Sequence, residues 1–217
     1  MTVTLLVLHG FTLNGAAMRT ALGGLAAQLS EHVELVFPDA PNVCTPGAVE
    51  RLYQVWPMPR AEPPHLCWWD AVEDGRVYQG LERSLDVMRE LVERHSPVAL
   101  LGFSQGAMLA ATLAALSTRA ELPPLAFVVP VAGAVPRAAA VLDKFDRPVN
   151  VPSLHVWGER DKLSGPRSPE LFERFEASSR EMVTWGGGHS VPSSGDAASR
   201  IVDFVARQVR GLPAPPA

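Results

Sequence analysis

The chain has 217 residues, of which 47% are hydrophobic and 19% charged, and a formal net charge of −4. That length suits one well-packed α/β domain, and the apolar content excludes wholesale disorder. The acidic balance without a Lys/Arg cluster argues against nucleic acid or an anionic membrane as the main partner.

In chain order, Val3–Leu8 is a continuous apolar run and predicts a strand buried on both faces. His9-Gly10-Phe11 ends it, and Asn14 can cap a helix whose apolar stripe is Met18, Leu22, Leu25 and Leu29. Val33–Phe37 is the second strand, stopped by Pro38-Asp39-Ala40-Pro41. Residues 41–74 lose periodicity: Pro46, Pro57, Pro59, Pro63 and Pro64 are interspersed with Trp56, Trp68 and Trp69. Rings of that size gain from burial, so this segment is expected to be an irregular but folded excursion, or lid, over one end of the sheet. A helix is expected from about Arg76, with Val77, Leu81, Leu85, Met88 and Val92 on one face and Glu73-Asp74 at its N-terminus. Val98–Leu101 and Leu125–Val129 are further strands, and Ala134–Leu142 is irregular or briefly helical. Ser153–Trp157 follows as a fifth strand. Ser168-Pro169 then opens a helix that buries Leu171, Phe172 and Phe175. Glu181–Trp185 is the sixth strand, Asp196–Val209 the last helix, and 211–217 a flexible tail.

Strands alternating with amphipathic helices define a doubly wound, mostly parallel sheet of about six strands in a single domain, residues 1–210. The N-terminus enters a strand at once, without a signal-peptide pattern, and Pro130 and Pro136 interrupt the best apolar run. A cytoplasmic protein with no membrane span is expected. Cys44 and Cys67 are too few for a disulfide framework, and no Cys/His spacing suits zinc, so no metal is expected.

The chemistry centres on Gly102-Phe103-Ser104-Gln105-Gly106, which lies between an apolar strand and an alanine-rich helix. A serine on so tight a bend is lifted above the sheet, and glycines two before and two after relieve the crowding there. A nucleophilic Ser104 needs a base, and the base needs an acid. In a parallel sheet such groups gather at the carboxyl ends of strands. His189, on Gly186-Gly187-Gly188 after the sixth strand, is the favoured base. His155 lies within a strand, His32 and His95 near helix ends, His9 in the first loop, and His65 stays open in the excursion. Asp161 and Glu159 both follow the fifth strand; Asp161, deeper in the loop and shorter, is preferred as the acid. The order Ser104, Asp161, His189 is that of α/β-hydrolases. Two backbone N–H donors, from Phe11 and Gln105, are expected to form the oxyanion hole. Trp56, Trp68, Trp69, Leu163 and Val191 are candidates for substrate contact, and few basic side chains lie near the motifs.

Leu8-His9-Gly10-Phe11 with Asn14-Gly15, Pro38–Pro41, Trp68-Trp69, Tyr78 with Gly80-Leu81 and Ser84-Leu85, Gly102–Gly106, His155–Gly158 with Asp161, and Gly187-Gly188-His189 with Pro192 together resemble the FSH group of serine hydrolases. This group lies within the α/β-hydrolase superfamily and includes tumour-suppressor-candidate-like esterases and fungal polyketide thioesterases. The resemblance spans nearly the whole chain. It implies Ser104 as nucleophile, Asp161 as acid and His189 as base, and a compact α/β-hydrolase sheet; a triad mechanism of this kind is expected to need no cofactor. The long, proline-heavy excursion departs from the group. Acyl-protein thioesterases also carry Gly-Phe-Ser-Gln-Gly, commonly with a further Gly where this chain has Ala107. The expected function is therefore a serine esterase acting on small or lipophilic acyl esters. A thioesterase using coenzyme A or an acyl-carrier protein is the second reading, and a non-catalytic ligand-binding module the third.

Overall fold

The computed structural model describes residues 2–55 and 60–212 and is organised about its first strand. β1 (Thr4–Leu8) leads through α1 (Gly15–Leu22) and α2 (Gly24–Ser30) to β2 (Glu34–Val36). Next come β3 (Asn42–Val43), α3 (Pro46–Val55), β4 (Leu66–Cys67), β5 (Asp70–Val72), β6 (Val77–Gln79) and α4 (Leu81–Arg94). β7 (Val98–Phe103), α5 (Gln105–Thr118), β8 (Val128–Val131) and α6 (Ala139–Leu142) follow. β9 (Ser153–Gly158), α7 (Ser168–Phe172), β10 (Arg180–Trp185) and α8 (Gly195–Gly211) complete the order.

The main sheet runs β10-β9-β8-β7-β1-β2, every pair parallel. The chain first builds outward from β1 to β2, then returns to build on the other side from β7, which places the switch of direction between β1 and β7. In that register Leu8 lies opposite Gly102, so the loops after both strands leave the sheet side by side. Ligands of open parallel sheets bind at such a switch point.

Alternation along the strands divides the core. Leu6, Leu8 and Leu100 pack against α4 and α5 through Met88, Val92, Leu109 and Leu113. Leu5, Val7, Leu101 and Val156 pack on the opposite face against α1, α2 and α8 through Met18, Leu22, Leu25 and Ile201. Each fully buried Leu or Ile on these faces contributes roughly 1.5–3 kcal/mol. Among the described residues, no helix is long and apolar enough to cross a membrane.

The structure differs from the sequence reading in several elements. The helix expected over Met18–Leu29 is two, broken at Gly23 with φ 51°. Its apolar stripe survives the break because both pieces face the same core. The helix expected from Arg76 starts at Leu81: Val77 pairs with Val72 in a hairpin, and Glu73 and Asp74 sit in its turn at positive φ. The excursion is not wholly irregular, since it holds α3, the antiparallel ladder β3–β4, and β5, which pairs with β6 just beyond it. The strand expected at Leu125–Val129 runs over Val128–Val131, and the helix opened by Ser168 stops at Phe172. Phe175 instead bridges to Val149. Trp56 lies outside the described residues, as does the expected tail from residue 213 onward; Gly211 ends α8.

His155 packs edge-on against Phe172 and Phe175, and its Nε2 is buried without a hydrogen-bond partner. Burial, helped by the nearby Arg180 charge, pushes its pKa from the ordinary 6.5 down to about 3. Between those values the unfolded chain binds a proton that the folded one refuses, so stability falls as pH falls through the window. From about pH 7.5 to about pH 5, this residue alone costs about 2 kcal/mol. His155→Phe should therefore lose less stability over that interval than the parent, measured by urea unfolding at both pH values. An unchanged acid loss would refute the assignment.

Candidate active site

The turn after β7 carries the first reactive group. Ser104 has φ 53° and ψ −112°, a backbone conformation that costs an L-residue of order 1–3 kcal/mol. Its N–H donates to the Val131 carbonyl at 2.9 Å, and its carbonyl accepts from the Ala107 and Met108 amides. The flanking glycines are required by contact: a Cβ on Gly102 would collide with the Gly106 carbonyl, and one on Gly106 with the carbonyls of Leu8 and His9. Ser104 thus stands at the N-terminus of α5, whose first amides have no intrahelical acceptor.

The loops after β9 and β10 supply the other groups. The Glu159 amide donates to Trp185 and the Arg160 amide to Gly187, so the two loops run together. Gly158 makes this approach possible, because a Cβ there would strike the Gly187 and Gly188 carbonyls. His189 then reaches both neighbours: Nε2 is 2.9 Å from Ser104 Oγ and Nδ1 is 2.9 Å from Asp161 Oδ2. Phe103 packs against the imidazole with ring centroids 5.1 Å apart. The side chain of Asp161 is fully buried and that of His189 nearly so.

Ser164 is a site residue that the sequence reading missed. Its hydroxyl donates to Asp161 Oδ2 at 2.6 Å and lies 3.3 Å from His189 Nδ1. Asp161 Oδ1 accepts the Leu163 and Ser164 amides at 2.9 and 3.1 Å. An aspartate followed three residues later by serine is a local turn signal that could have revealed it. Burial pushes the Asp161 carboxyl up. The hydrogen bonds from His189 and Ser164, with the attraction of His189, outweigh that and hold it well below the usual carboxylate range.

His9 has an organising position instead. Its Nε2 accepts the Ala40 amide at 3.0 Å, which leaves Nδ1 to donate to the Gly10 carbonyl at 2.8 Å. Burial lowers its pKa, so the neutral ring is favoured. His65 is drawn away from the serine, with Nδ1 3.0 Å from the Thr12 carbonyl. The Gln105 side chain spans the gap to the excursion: Oε1 accepts the Trp68 amide at 2.9 Å and Nε2 donates to the Trp69 carbonyl at 2.8 Å. Its role was not read from the sequence, because both partners lie more than thirty residues away.

A cavity of about 510 Å³ opens in front of Ser104 and is lined by Phe11, Trp69, Tyr78, Met108, Leu163 and His189, among others. A second cavity, of about 770 Å³, meets the first at His189 and is lined by Leu13, Ala17, Phe103 and Val191. Trp69 and Leu163 thus face the serine side, and Val191 the other. Trp68 lines neither cavity: it is fully buried, and Nε1 donates to the His9 carbonyl at 2.9 Å, so a direct substrate contact is corrected to a packing role. The expected scarcity of basic groups is also corrected, since folding brings Arg51, Arg137 and Arg167 to the Ser104 cavity from three separate segments. Among the described residues, no cluster of His, Cys, Asp and Glu could hold a metal ion.

A family model described as serine hydrolase (FSH1) matches residues 1–201. The chain is similar to esterase OVCA2 of Homo sapiens, 31% identical over 92% of this chain and 94% of that one. It is likewise similar to family of serine hydrolases 2 of Saccharomyces cerevisiae, 30% identical over 94% and 98% of the respective chains. Among solved structures, Arabidopsis thaliana SOBER1 superposes with a TM-score of 0.68 at 18% identity, covering 96% of this chain and 100% of that one, a likeness of fold.

The Gln105 bridge yields a stability prediction. Gln105→Leu would leave the buried Trp68 amide and Trp69 carbonyl without partners, at a cost of about 1–3 kcal/mol each. Urea unfolding should report a loss of about 2–6 kcal/mol for the two groups together. Stability equal to the parent's would show that the bridge contributes nothing.

Proposed function

The chain belongs to the serine hydrolase (FSH1) family, with an α/β-hydrolase fold, and on that premise we propose an esterase that works through an acyl-enzyme on Ser104. The observation that carries this reading is the unbroken hydrogen-bonded line from Ser104 Oγ through His189 to Asp161, 2.9 Å at each step.

In this mechanism His189 Nε2 takes the hydroxyl proton as Ser104 Oγ attacks the ester carbonyl. The carbonyl oxygen becomes an oxyanion beside the amides of Phe11 and Gln105, both of which belong to residues lining the Ser104 cavity. Each such donor is worth about 3 kcal/mol in the transition state. His189 passes the proton to the departing alcohol, and the acyl group stays on Ser104. Water, deprotonated by the same imidazole, then releases the acid and restores the serine. Asp161 keeps His189 in the tautomer whose Nε2 accepts the serine proton, and Ser164 steadies the carboxylate by donating to the same oxygen, Oδ2, that meets His189.

A lipophilic acyl group is supported by Leu13, Phe103 and Val191 on one side of His189, and by Leu163, Met108 and Trp69 on the other. A thioesterase releasing acyl chains from coenzyme A or a carrier protein uses the same groups. Its supporting observation is a serine cavity that opens onto charged side chains. A soluble substrate met in the cytoplasm completes the reading, supported by a composition with two cysteines and a net acidic charge.

Ser104→Ala should abolish labelling by a fluorophosphonate probe and lower kcat by about a million-fold. A folded parent that resists the probe would overturn the enzyme reading, and a labelled Ser104→Ala the choice of nucleophile. Ser164→Ala should lower kcat by about ten-fold, as loss of an outer hydrogen-bonding partner does at other sites, with KM little changed. Rates on p-nitrophenyl esters from acetyl to palmitoyl should depend on chain length; a flat series would sink the lipophilic pocket.

A further inference from the structure

The Ser104 cavity carries a charge that the whole chain does not. The chain has a net charge of −4, yet the residues lining this cavity include Arg51, Arg137 and Arg167 against one acidic residue, Asp70. The three come from α3, from the loop after β8 and from the turn before α7. Arg167 is fixed in place, with Nη2 donating to the Val135 carbonyl at 2.7 Å and Nε 3.9 Å from the exposed Glu170. Arg51 and Arg137 are different: among the described residues neither has a carboxylate within ion-pair distance. Arg137 is nevertheless held at the rim. Its amide donates to Tyr78 Oη at 2.8 Å, Tyr78 stacks on Trp69 at 4.7 Å, and its Cδ rests beside Gly75.

We propose that the substrate of this site carries an anionic group, a carboxylate or a phosphate, which Arg51 and Arg137 bind at the rim of the cavity while Ser104 engages the acyl carbonyl. The inference rests on the esterase reading and names its substrate class. Guanidinium forks match both anions through paired hydrogen bonds, and a cleft lined by one sign of charge concentrates ligands of the other. Arg167, already committed to the Val135 carbonyl, adds a fixed positive field. The ester or thioester bond then lies between the anionic part on the arginine side and whatever occupies the apolar cavity beyond His189.

Two matched substrate pairs test the proposal in the full-length protein. Monomethyl adipate against dimethyl adipate varies a carboxylate, and S-acetyl-4′-phosphopantetheine against S-acetylpantetheine varies a phosphate on the same thioester arm. In at least one pair, kcat/KM should favour the anionic member by about ten-fold or more at low ionic strength, and added salt should shrink the preference. The pair that responds identifies the anion. Arg137→Gln and, independently, Arg51→Gln should each lower the anionic-to-neutral ratio several-fold. They lie on different elements, so a folding defect in one leaves the other decisive. Ratios near one in both pairs, or ratios insensitive to salt and to both substitutions, would overturn the proposal. Fluorophosphonate labelling of Ser104 in the same preparations distinguishes that outcome from failure of the esterase reading itself.

Discussion

Everything at this site depends on a backbone constraint. Ser104 must occupy a left-handed conformation, and the segments meeting there are too close for a Cβ at Gly102 or Gly106. The turn can be that tight because its cost is spread over a deeply buried frame: β1 pairs with β7 from Thr4 to Leu8, and both strands are covered on both faces. The strain is thus held by the hydrophobic effect, and the serine is presented before any substrate arrives. The same logic recurs at Gly158, where the absence of a side chain lets the loops after β9 and β10 close on each other and bring Asp161 to His189.

The excursion between β2 and α4 is held by a small buried cluster of Cys44, Val49 and Cys67, by Leu66, Trp68 and Trp69 in the main core, and by a set of polar groups. Asn14 caps α1 through its oxygen and donates its amide hydrogens to the Glu62 and Pro64 carbonyls, both at 3.0 Å. Asp39 Oδ1 accepts the Gly15 amide at 2.7 Å, and Asn42 reaches Gly80 and Ser84. Gln105 completes the set from the serine turn. Such hydrogen bonds are individually modest, but leaving any of these buried groups unmade is expensive, which fixes the excursion in one position.

The sheet, its six strands and the chemistry at its carboxyl edge were legible because they rest on local signals: apolar runs of strand length, helical spacing, and glycines around a serine. Helix and strand ends were less so. Val77 fits the stripe of α4 by spacing, yet it is taken into a hairpin with Val72, a pairing that periodicity does not encode. The excursion was read as irregular because prolines hide a ten-residue helix that begins at one of them, Pro46. Asp161 and His189 could be ranked from their places after strands, and Ser164 carried a local turn signal beside Asp161, whereas the side chain of Gln105 acts through contacts that exist only after folding. The arginines of the serine cavity were invisible for the same reason, being scattered over more than a hundred residues.

Gln105 joins two tasks in one residue. Its main chain stands beside Ser104, while its carboxamide grips the main chain at Trp68 and Trp69. The grip is addressed to backbone atoms, so it is indifferent to which side chains the excursion carries. The excursion is also keyed to the frame by the Glu62 and Pro64 carbonyls on Asn14, by the Asn42 carboxamide and by the buried Trp68 ring, so substitutions away from those points leave its seating intact. Changes of specificity can then accumulate in the excursion without disturbing the turn that carries the serine.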